Sequence, residues 1–232
     1  MRPLRVLTAA EAIDAPTTWP IVAHRVLGRG AVSDFVNDGV ATPDGEVMQR
    51  QYLLHPGAVA VIALDERDRV VVVRQYRHPV GFRLNEPPAG LLDAEDDSYL
   101  AAAQRELAEE AMLAADDWRV LIDMFTSPGC NQEGIRFFLA RGLRPVGRPD
   151  GFVVEHEELD METCLVDLDV LTEAIYAGDI QSPTTVAGVL ALVAARASGR
   201  LDALRPADAP WPARAVRRAH NAALAEAPGD GA

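Results

Sequence analysis

The sequence combines a tight turn with an acidic helix, and this pair limits the fold more than any other feature. Pro87-Pro88-Ala89-Gly90 disfavours a helix and indicates a sharp turn, because proline fixes φ and lacks a backbone N–H. Farther on, Tyr99–Met112 holds many strong helix formers and neither glycine nor proline, and Ser98 can cap its first turn. We therefore predict a turn followed by a helix that begins at Tyr99.

The predicted helix carries closely spaced acids in the run Arg105–Glu110. Glu106 and Glu110 are four positions apart, so their carboxylates project from the same face about one turn from each other. Such carboxylates repel unless a hard cation lies between them, and Mg²⁺ prefers oxygen ligands, including waters and substrate phosphates. Arg105 and Glu109 form a second pair of the same spacing on the neighbouring face. Ordinary solvated helices also show this pattern, so by itself it does not establish a metal site.

Apolar runs on both sides of the turn and the helix predict a sheet. Ala58–Leu64 and Arg69–Tyr76 are joined by Asp65-Glu66-Arg67-Asp68 and have the pattern of a hairpin of buried strands. Upstream, from Trp19 to about Leu54, short β-rich runs are separated by turn signals such as Asn37-Asp38-Gly39. Four further elements are expected after the acidic helix: strands at Trp118–Phe125 and Ile135–Ala140, and helices at about Leu168–Ala177 and Thr184–Ala197.

Composition excludes several classes of partner. The net charge of the 232-residue chain is −13, whereas proteins that follow nucleic-acid phosphates carry basic stripes. An acidic protein that handles phosphates must supply positive charge locally, and a divalent metal is the obvious source. The sequence has no apolar run of about eighteen residues to span a membrane and no apolar signal region after Met1. Its two cysteines, Cys130 and Cys164, lack metal-ligand spacing. We expect a cytoplasmic protein with no nucleic-acid or membrane partner.

The turn and the helix together resemble the Nudix family, whose box reads Gly-x5-Glu-x7-Arg-Glu-U-x-Glu-Glu-x-Gly-U, where U is aliphatic. Gly90 opens the box and Arg105–Leu113 closes it. Asp97 takes the place of the first glutamate, and the stretch from Gly90 to Asp97 is one residue longer than the pattern. Met112 stands where the pattern has its last glycine. Because methionine reaches the left-handed conformation only with strain, we expect the helix to run on or turn differently there.

Stretches outside the box resemble the ADP-ribose pyrophosphatase subgroup of this family. They are Arg74–Pro79, Glu86–Asp93 and Thr126–Gly129. In the last of these, Pro128 lies sixteen residues beyond the closing position of the box, as a proline does in that subgroup. The similarity covers roughly 55–196. It implies an α/β Nudix fold, an α/β/α sandwich around a mixed sheet, with an N-terminal β-rich segment that usually builds a homodimer.

The resemblance implies a set of metal ligands. The side chains of Glu106 and Glu110 are expected to bind Mg²⁺, with Mn²⁺ as an alternative. Glu109 is expected to be a further ligand or a positioning residue, and the backbone carbonyl of Ala89 a further ligand. Arg105 is expected to lie behind the ligands and hold Glu109 in place.

The resemblance also implies a catalytic base and substrate contacts. In the subgroup the base is a glutamate in a loop before the last helix, and the matching stretch here offers two candidates, Glu157 and Glu158. Arg77, at a strand end, is expected to bind the diphosphate. Glu133 is expected to contact the terminal ribose, and Pro128-Gly129 to line the substrate site.

The activity implied by the resemblance is Mg²⁺-dependent hydrolysis of ADP-ribose to AMP and ribose 5-phosphate. Two alternatives stay open: hydrolysis of another nucleoside diphosphate derivative (an NDP-sugar, NADH or a diadenosine polyphosphate), or binding of ADP-ribose without turnover. Non-catalytic modules usually lose box glutamates, which this chain keeps, so catalysis is favoured. We divide the chain into a dimerisation segment, 1–54, a hydrolase domain, 55–205, and a flexible tail, 206–232, with poor order expected beyond about His220.

Overall fold

The strands form three sheets in this computed structural model, which describes residues 4–92, 98–147 and 160–229. The N-terminal sheet is antiparallel, with the order β1 (Ile21–Arg29), β2 (Asp34–Ala41) and β3 (Val47–Leu54). A second antiparallel sheet has the order β10 (Glu162–Asp167), β5 (Arg69–Arg77) and β6 (Phe82–Glu86). The third is mixed, with the order β11 (Arg205–Pro206), β8 (Leu113–Phe125), β9 (Gly134–Pro145), β4 (Ala58–Ala63) and β7 (Ala89–Leu91).

Helices lie on both faces of the central strands, and the last helix packs instead against the N-terminal sheet. They are α1 (Tyr99–Ala111), α2 (Leu168–Ala177), α3 (Pro183–Ala197) and α4 (Ala213–Glu226). Side chains of β4 alternate between two apolar clusters: Ile62 packs with Val189 and Leu192 of α3, whereas Val61 packs with Leu107 of α1. Because both faces of the strand are buried, its sequence is a continuous apolar run. The arrangement confirms the predicted α/β/α sandwich around a mixed sheet. Within the described ranges, no helix has the length and hydropathy that a membrane span requires.

The predicted hairpin of β4 and β5 is wrong. The two strands meet at the bridge between Leu64 and Val70, and Asp65 N donates to Arg69 O over 2.9 Å, but each strand then enters a different sheet. β4 pairs with β9 in parallel and with β7, while β5 pairs with β10 and β6. A run that is apolar on both faces carries no sign of its partner, so sequence adjacency was a poor guide to pairing.

The predicted behaviour of the α1 C-terminus is also wrong. α1 ends at Ala111, and Met112 adopts the left-handed conformation that a glycine would take, with φ 54° and ψ 40°. Its N–H donates to Ala108 O over 3.1 Å, and its own carbonyl accepts from Val146 N over 2.9 Å. The side chain is exposed, so no packing opposes this conformation. The strain of about 1–2 kcal/mol is tolerated because β8 begins at the next residue.

The segment predicted to be a flexible tail contains α4 instead. Leu224 of this helix is buried. Tyr52 OH and His220 Nε2 lie 2.7 Å apart, and Gln132 Nε2 donates to Asn221 Oδ1 over 2.9 Å. These contacts dock α4 against the N-terminal sheet and the loop after β8. The helix was not predicted because the composition of the segment is typical of a flexible tail. The residues that contact the helix lie far away in sequence.

A buried arginine anchors the chain that leads to α4. Arg136 of β9 is 2% exposed and binds both carboxylate oxygens of Asp123. It also donates to Ala209 O over 2.7 Å, and its guanidinium lies over the rings of Tyr99 and Trp211. Charge pairing and ring contacts together satisfy the buried cation and fix the segment before α4.

Candidate active site

Helix α1 presents its acidic face to the turn that precedes it. Ser98 caps the helix as predicted, with its side-chain oxygen accepting from Ala101 N over 3.0 Å. Leu107 is completely buried on the adjoining face of the helix, which stabilises the docked helix by roughly 1.5–3 kcal/mol and fixes its rotation. The carboxylates of Glu106 and Glu110 consequently meet β7.

The two carboxylates lie against adjacent residues of β7. Glu110 Oε2 accepts a hydrogen bond from Ala89 N over 3.0 Å. Glu106 lies so close to Gly90 that a Cβ at that residue would be 2.0 Å from Glu106 Oε1. Glycine is therefore required at this position to leave room for the carboxylate. The structure brings together the two acids predicted to share a cation, next to the predicted carbonyl ligand Ala89.

Arg105 holds the acidic cluster in place. Its Nη1 is 2.8 Å from Glu106 Oε1 and 3.3 Å from Glu109 Oε2, while Nη2 donates to Leu91 O over 3.4 Å. The predicted pairing with Glu109 is present, and the guanidinium also reaches Glu106. A cation beside two carboxylates orients them through charge-assisted contacts.

These residues fit a divalent-cation site that would be completed by substrate and water. Within 4–92, 98–147 and 160–229, no three His, Cys, Asp or Glu side chains are grouped to hold a metal alone. Mg²⁺ does not need such a cage, because it is usually bound by one or two carboxylates together with waters and substrate phosphates. Asp97 and both candidate bases, Glu157 and Glu158, lie outside the described residues, so their roles remain predictions.

A buried carboxylate that we did not single out in the sequence orients Arg77. Glu86, at the end of β6, accepts from Arg77 Nε over 2.7 Å, from Gln75 Nε2 over 3.0 Å and from Ser182 Oγ over 3.0 Å. The β5–β6 register places Glu86 opposite Val73, and Gln75 and Arg77 follow at period two along the same face. That register was the signal that sequence reasoning lacked. Glu86 therefore fixes Arg77 to the strand that runs directly into the Ala89 turn.

Glu133 lies beside a neutral histidine. Its Oε2 accepts from Thr126 Oγ1 over 2.6 Å, and its Oε1 is 3.7 Å from His55 Nε2. Burial lowers the pKa of His55, an effect that Glu133 opposes and Arg217 reinforces. Because Gly57 N donates to His55 Nδ1 over 3.0 Å, the proton of the neutral ring is on Nε2, toward Glu133. The carboxylate predicted to contact ribose is thus half-buried and held by two neighbours.

Pro128 and Gly129 line a cavity of about 550 Å³ between the N-terminal sheet, the loop after β8 and α4. Its aromatic walls are Trp19, Tyr52, Tyr99 and Phe125. Helix α4 adds Arg217 and His220, which sequence reasoning missed because their segment has the composition of a tail. The box glutamates and Arg77 are not among the described residues that line this cavity. Of the predicted site residues, Glu106 and Glu110 therefore lie against β7, and Pro128 and Gly129 line the cavity. Arg77 lies at the end of β5, and Glu133 is beside His55.

The fold and the contact of the acidic helix α1 with β7 indicate the class of the protein. A family model described as the NUDIX domain matches residues 54–182, more than half of the chain. The chain belongs to the Nudix family and is a Nudix hydrolase, which confirms the resemblance drawn from the box.

Individual relatives of known name show which Nudix hydrolases the chain is similar to. The chain is 39% identical over 190 residues to an ADP-ribose pyrophosphatase of Mycobacterium tuberculosis, covering 82% of this chain and 89% of that protein. It is 32% identical over 153 residues to an ADP-ribose pyrophosphatase of Bacillus subtilis, covering 66% and 78% of the two proteins. A crystal structure of an ADP compounds hydrolase superposes with a TM-score of 0.64 at 18% identity, covering 82% of this chain and 100% of that one, and supports the fold.

Proposed function

We propose that this protein hydrolyses the diphosphate bond of ADP-ribose, with Mg²⁺ or alternatively Mn²⁺, to give AMP and ribose 5-phosphate. The observation that carries the proposal is the pair of carboxylates, Glu106 and Glu110, held against Ala89 and Gly90 of β7. The ADP-ribose pyrophosphatases among its relatives support the choice of substrate.

Different residues of the site bind the metal, bind the substrate and orient the attacking water. When bound, Mg²⁺ would polarise the diphosphate and lower the pKa of the attacking water. The bond from Arg77 to Glu86 uses Nε, which leaves the two terminal amino groups for phosphate oxygens. Glu133 accepts from Thr126 and retains acceptor capacity for ribose hydroxyls. Glu157 or Glu158 remains our candidate for the group that takes the proton of the attacking water.

Product analysis tests the proposal against its two alternatives. ADP-ribose, NADH and ADP-glucose would each be incubated with the protein, with and without Mg²⁺, and the products separated by chromatography. We expect metal-dependent release of AMP, fastest from ADP-ribose. Faster cleavage of NADH or ADP-glucose would assign a different nucleoside diphosphate derivative. Tight binding of ADP-ribose with no turnover of any compound would identify a non-catalytic module and overturn the proposal.

We also propose that segment 1–54 forms a homodimer beside the hydrolase domain, 55–205. The N-terminal sheet exposes large apolar side chains, namely Val22, Leu27, Phe35, Val47 and Leu53. Val47→Asp is expected to give a monomer in light scattering, whereas Val170→Asp, at an equally exposed position of α2, should leave the dimer intact. A monomeric unsubstituted protein would contradict this proposal.

The partners and the cellular location of the protein are proposed from its amino-acid composition. A small nucleoside diphosphate is the expected partner, without nucleic acid or membrane, in keeping with the net charge of −13. Cys130 and Cys164 are both free, as is common in a reducing compartment, and we propose a cytoplasmic location.

A further inference from the structure

Arg217 of α4 is a half-buried cation on the wall of the cavity. Within the described residues, neither a hydrogen bond nor an ion pair engages its guanidinium. Burial lowers the pKa of Arg217, the neighbouring cations Arg214 and Arg218 lower it further, and Tyr99 opposes them. A charged group that loses water without gaining a partner is unfavourable, so an anion in the cavity would stabilise this wall.

We propose that Arg217 binds a phosphate group of the nucleotide substrate, which makes α4 part of the substrate site. The inference rests on the proposed function and extends the substrate site to α4, a helix that was not predicted. An arginine suits this role because its planar guanidinium can donate two parallel hydrogen bonds to phosphate oxygens.

The guanidinium of Arg217 lies between the cavity and the part of β7 that contacts Glu106 and Glu110. Arg217 Nη1 would lie 2.3 Å from a Cβ at Gly57, so it rests directly on the backbone there. Gly57 O accepts from Leu92 N over 3.0 Å, and the β4–β7 register continues to the pair Ala60–Ala89. Three residues of strand span about 10 Å. Arg217 thus lies at one end of the paired strands β4 and β7. Ala89, which contacts Glu110, lies at the other end of the pair.

The other walls of the cavity suit the rest of a nucleotide. Trp19, Tyr52, Tyr99 and Phe125 offer ring surface to a base. The one carboxylate among the described lining residues, Asp38, already accepts from Tyr52 OH over 2.6 Å and lies 2.7 Å from His24 Nδ1. Its charge is therefore engaged by these two side chains, and the cations Arg50 and Arg217 of the lining favour an anion in the cavity. These walls favour the AMP half of the substrate over the ribose 5-phosphate half.

Calorimetric titration without metal tests the inference separately from hydrolysis. The probes are AMP against adenosine, and ribose 5-phosphate against ribose, so that each pair differs in its phosphate. The proteins are the unsubstituted chain, Arg217→Ala, Arg217→Gln and the matched control Arg218→Ala. Arg218 is exposed on the same helix and does not line the cavity. Thermal unfolding monitors the fold, and Arg217→Gln is used if the alanine variant is unstable.

We expect loss of Arg217 to weaken AMP binding on the order of ten- to a hundredfold, with adenosine little changed and Arg218→Ala unaffected. The same selective loss for ribose 5-phosphate would support the inference and assign the other half of the substrate. Equal weakening of AMP and adenosine, or no change for either phosphate, would overturn it. Absence of ADP-ribose turnover in the unsubstituted protein would refute the proposed function alone, because the titration does not depend on turnover.

Discussion

Replacing Gly90 with alanine probes the placement of Glu106 most sharply. The added Cβ would lie 2.0 Å from Glu106 Oε1, 2.1 Å from Cδ and 2.6 Å from Oε2. Ordinary contact begins at 3.4 Å, so the carboxylate must move by about 1.4 Å, the difference from 2.0 Å. Glu106 is 8% exposed and held by Arg105, which leaves it little room to move. Because a displacement of about 1 Å can reduce catalysis a hundredfold, we expect kcat/KM to fall by about that factor or more.

Steady-state hydrolysis of ADP-ribose over a series of Mg²⁺ concentrations measures this effect. The matched control is Gly28→Ala, because a Cβ at Gly28 has no neighbour within 4 Å among the described residues. We expect the control to behave as the unsubstituted protein. A folded Gly90→Ala protein with normal kcat/KM and normal Mg²⁺ dependence would refute the proposed position of Glu106.

Two further predictions concern stability. Met112→Gly should raise the free energy of unfolding by up to about 1 kcal/mol, because glycine adopts the left-handed conformation without strain. Urea unfolding measures this change. An equal gain in stability with Met112→Ala would contradict the explanation by backbone strain. Burial lowers the pKa of His220, which faces Tyr52, Asp38 and His24. The unfolded chain therefore takes up a proton on this ring first, so its contribution to stability falls as the pH drops through the ordinary value of 6.5. Thermal unfolding between pH 8 and 5 should show this loss, and His220→Gln should reduce it; an identical pH profile in the variant would contradict the assignment.

The parts of the structure that depend on local sequence could be predicted. The helix that begins at Tyr99 was predicted from its helix-forming residues and from the Ser98 cap. The i, i+4 spacing predicted that Glu106 and Glu110 lie on one face. The chain bends at Pro88, as the prolines predict, but Ala89 and Gly90 of the predicted turn belong to strand β7. In each case the physical cause lies within a few residues of its effect.

The parts that depend on distant contacts could not be predicted. β4 and β5 are apolar on both faces, so neither pattern reveals that they belong to different sheets. Helix α4 is held by Tyr52, which is 168 residues from His220 in sequence. Met112 shows a third limit, since a local preference against the left-handed conformation was overruled by the strand that must begin immediately after it.

The Mg²⁺ dependence of ADP-ribose hydrolysis by Glu110→Gln tests whether Glu110 is a metal ligand. The amide oxygen of glutamine can still accept from Ala89 N, so the fold should persist while the ligand charge is lost. We predict that turnover falls on the order of a hundredfold or more at every Mg²⁺ concentration, whereas Glu173→Gln, on an exposed site of α2, retains full activity. Undiminished Mg²⁺-dependent turnover by a folded Glu110→Gln protein would contradict a role of Glu110 as a metal ligand.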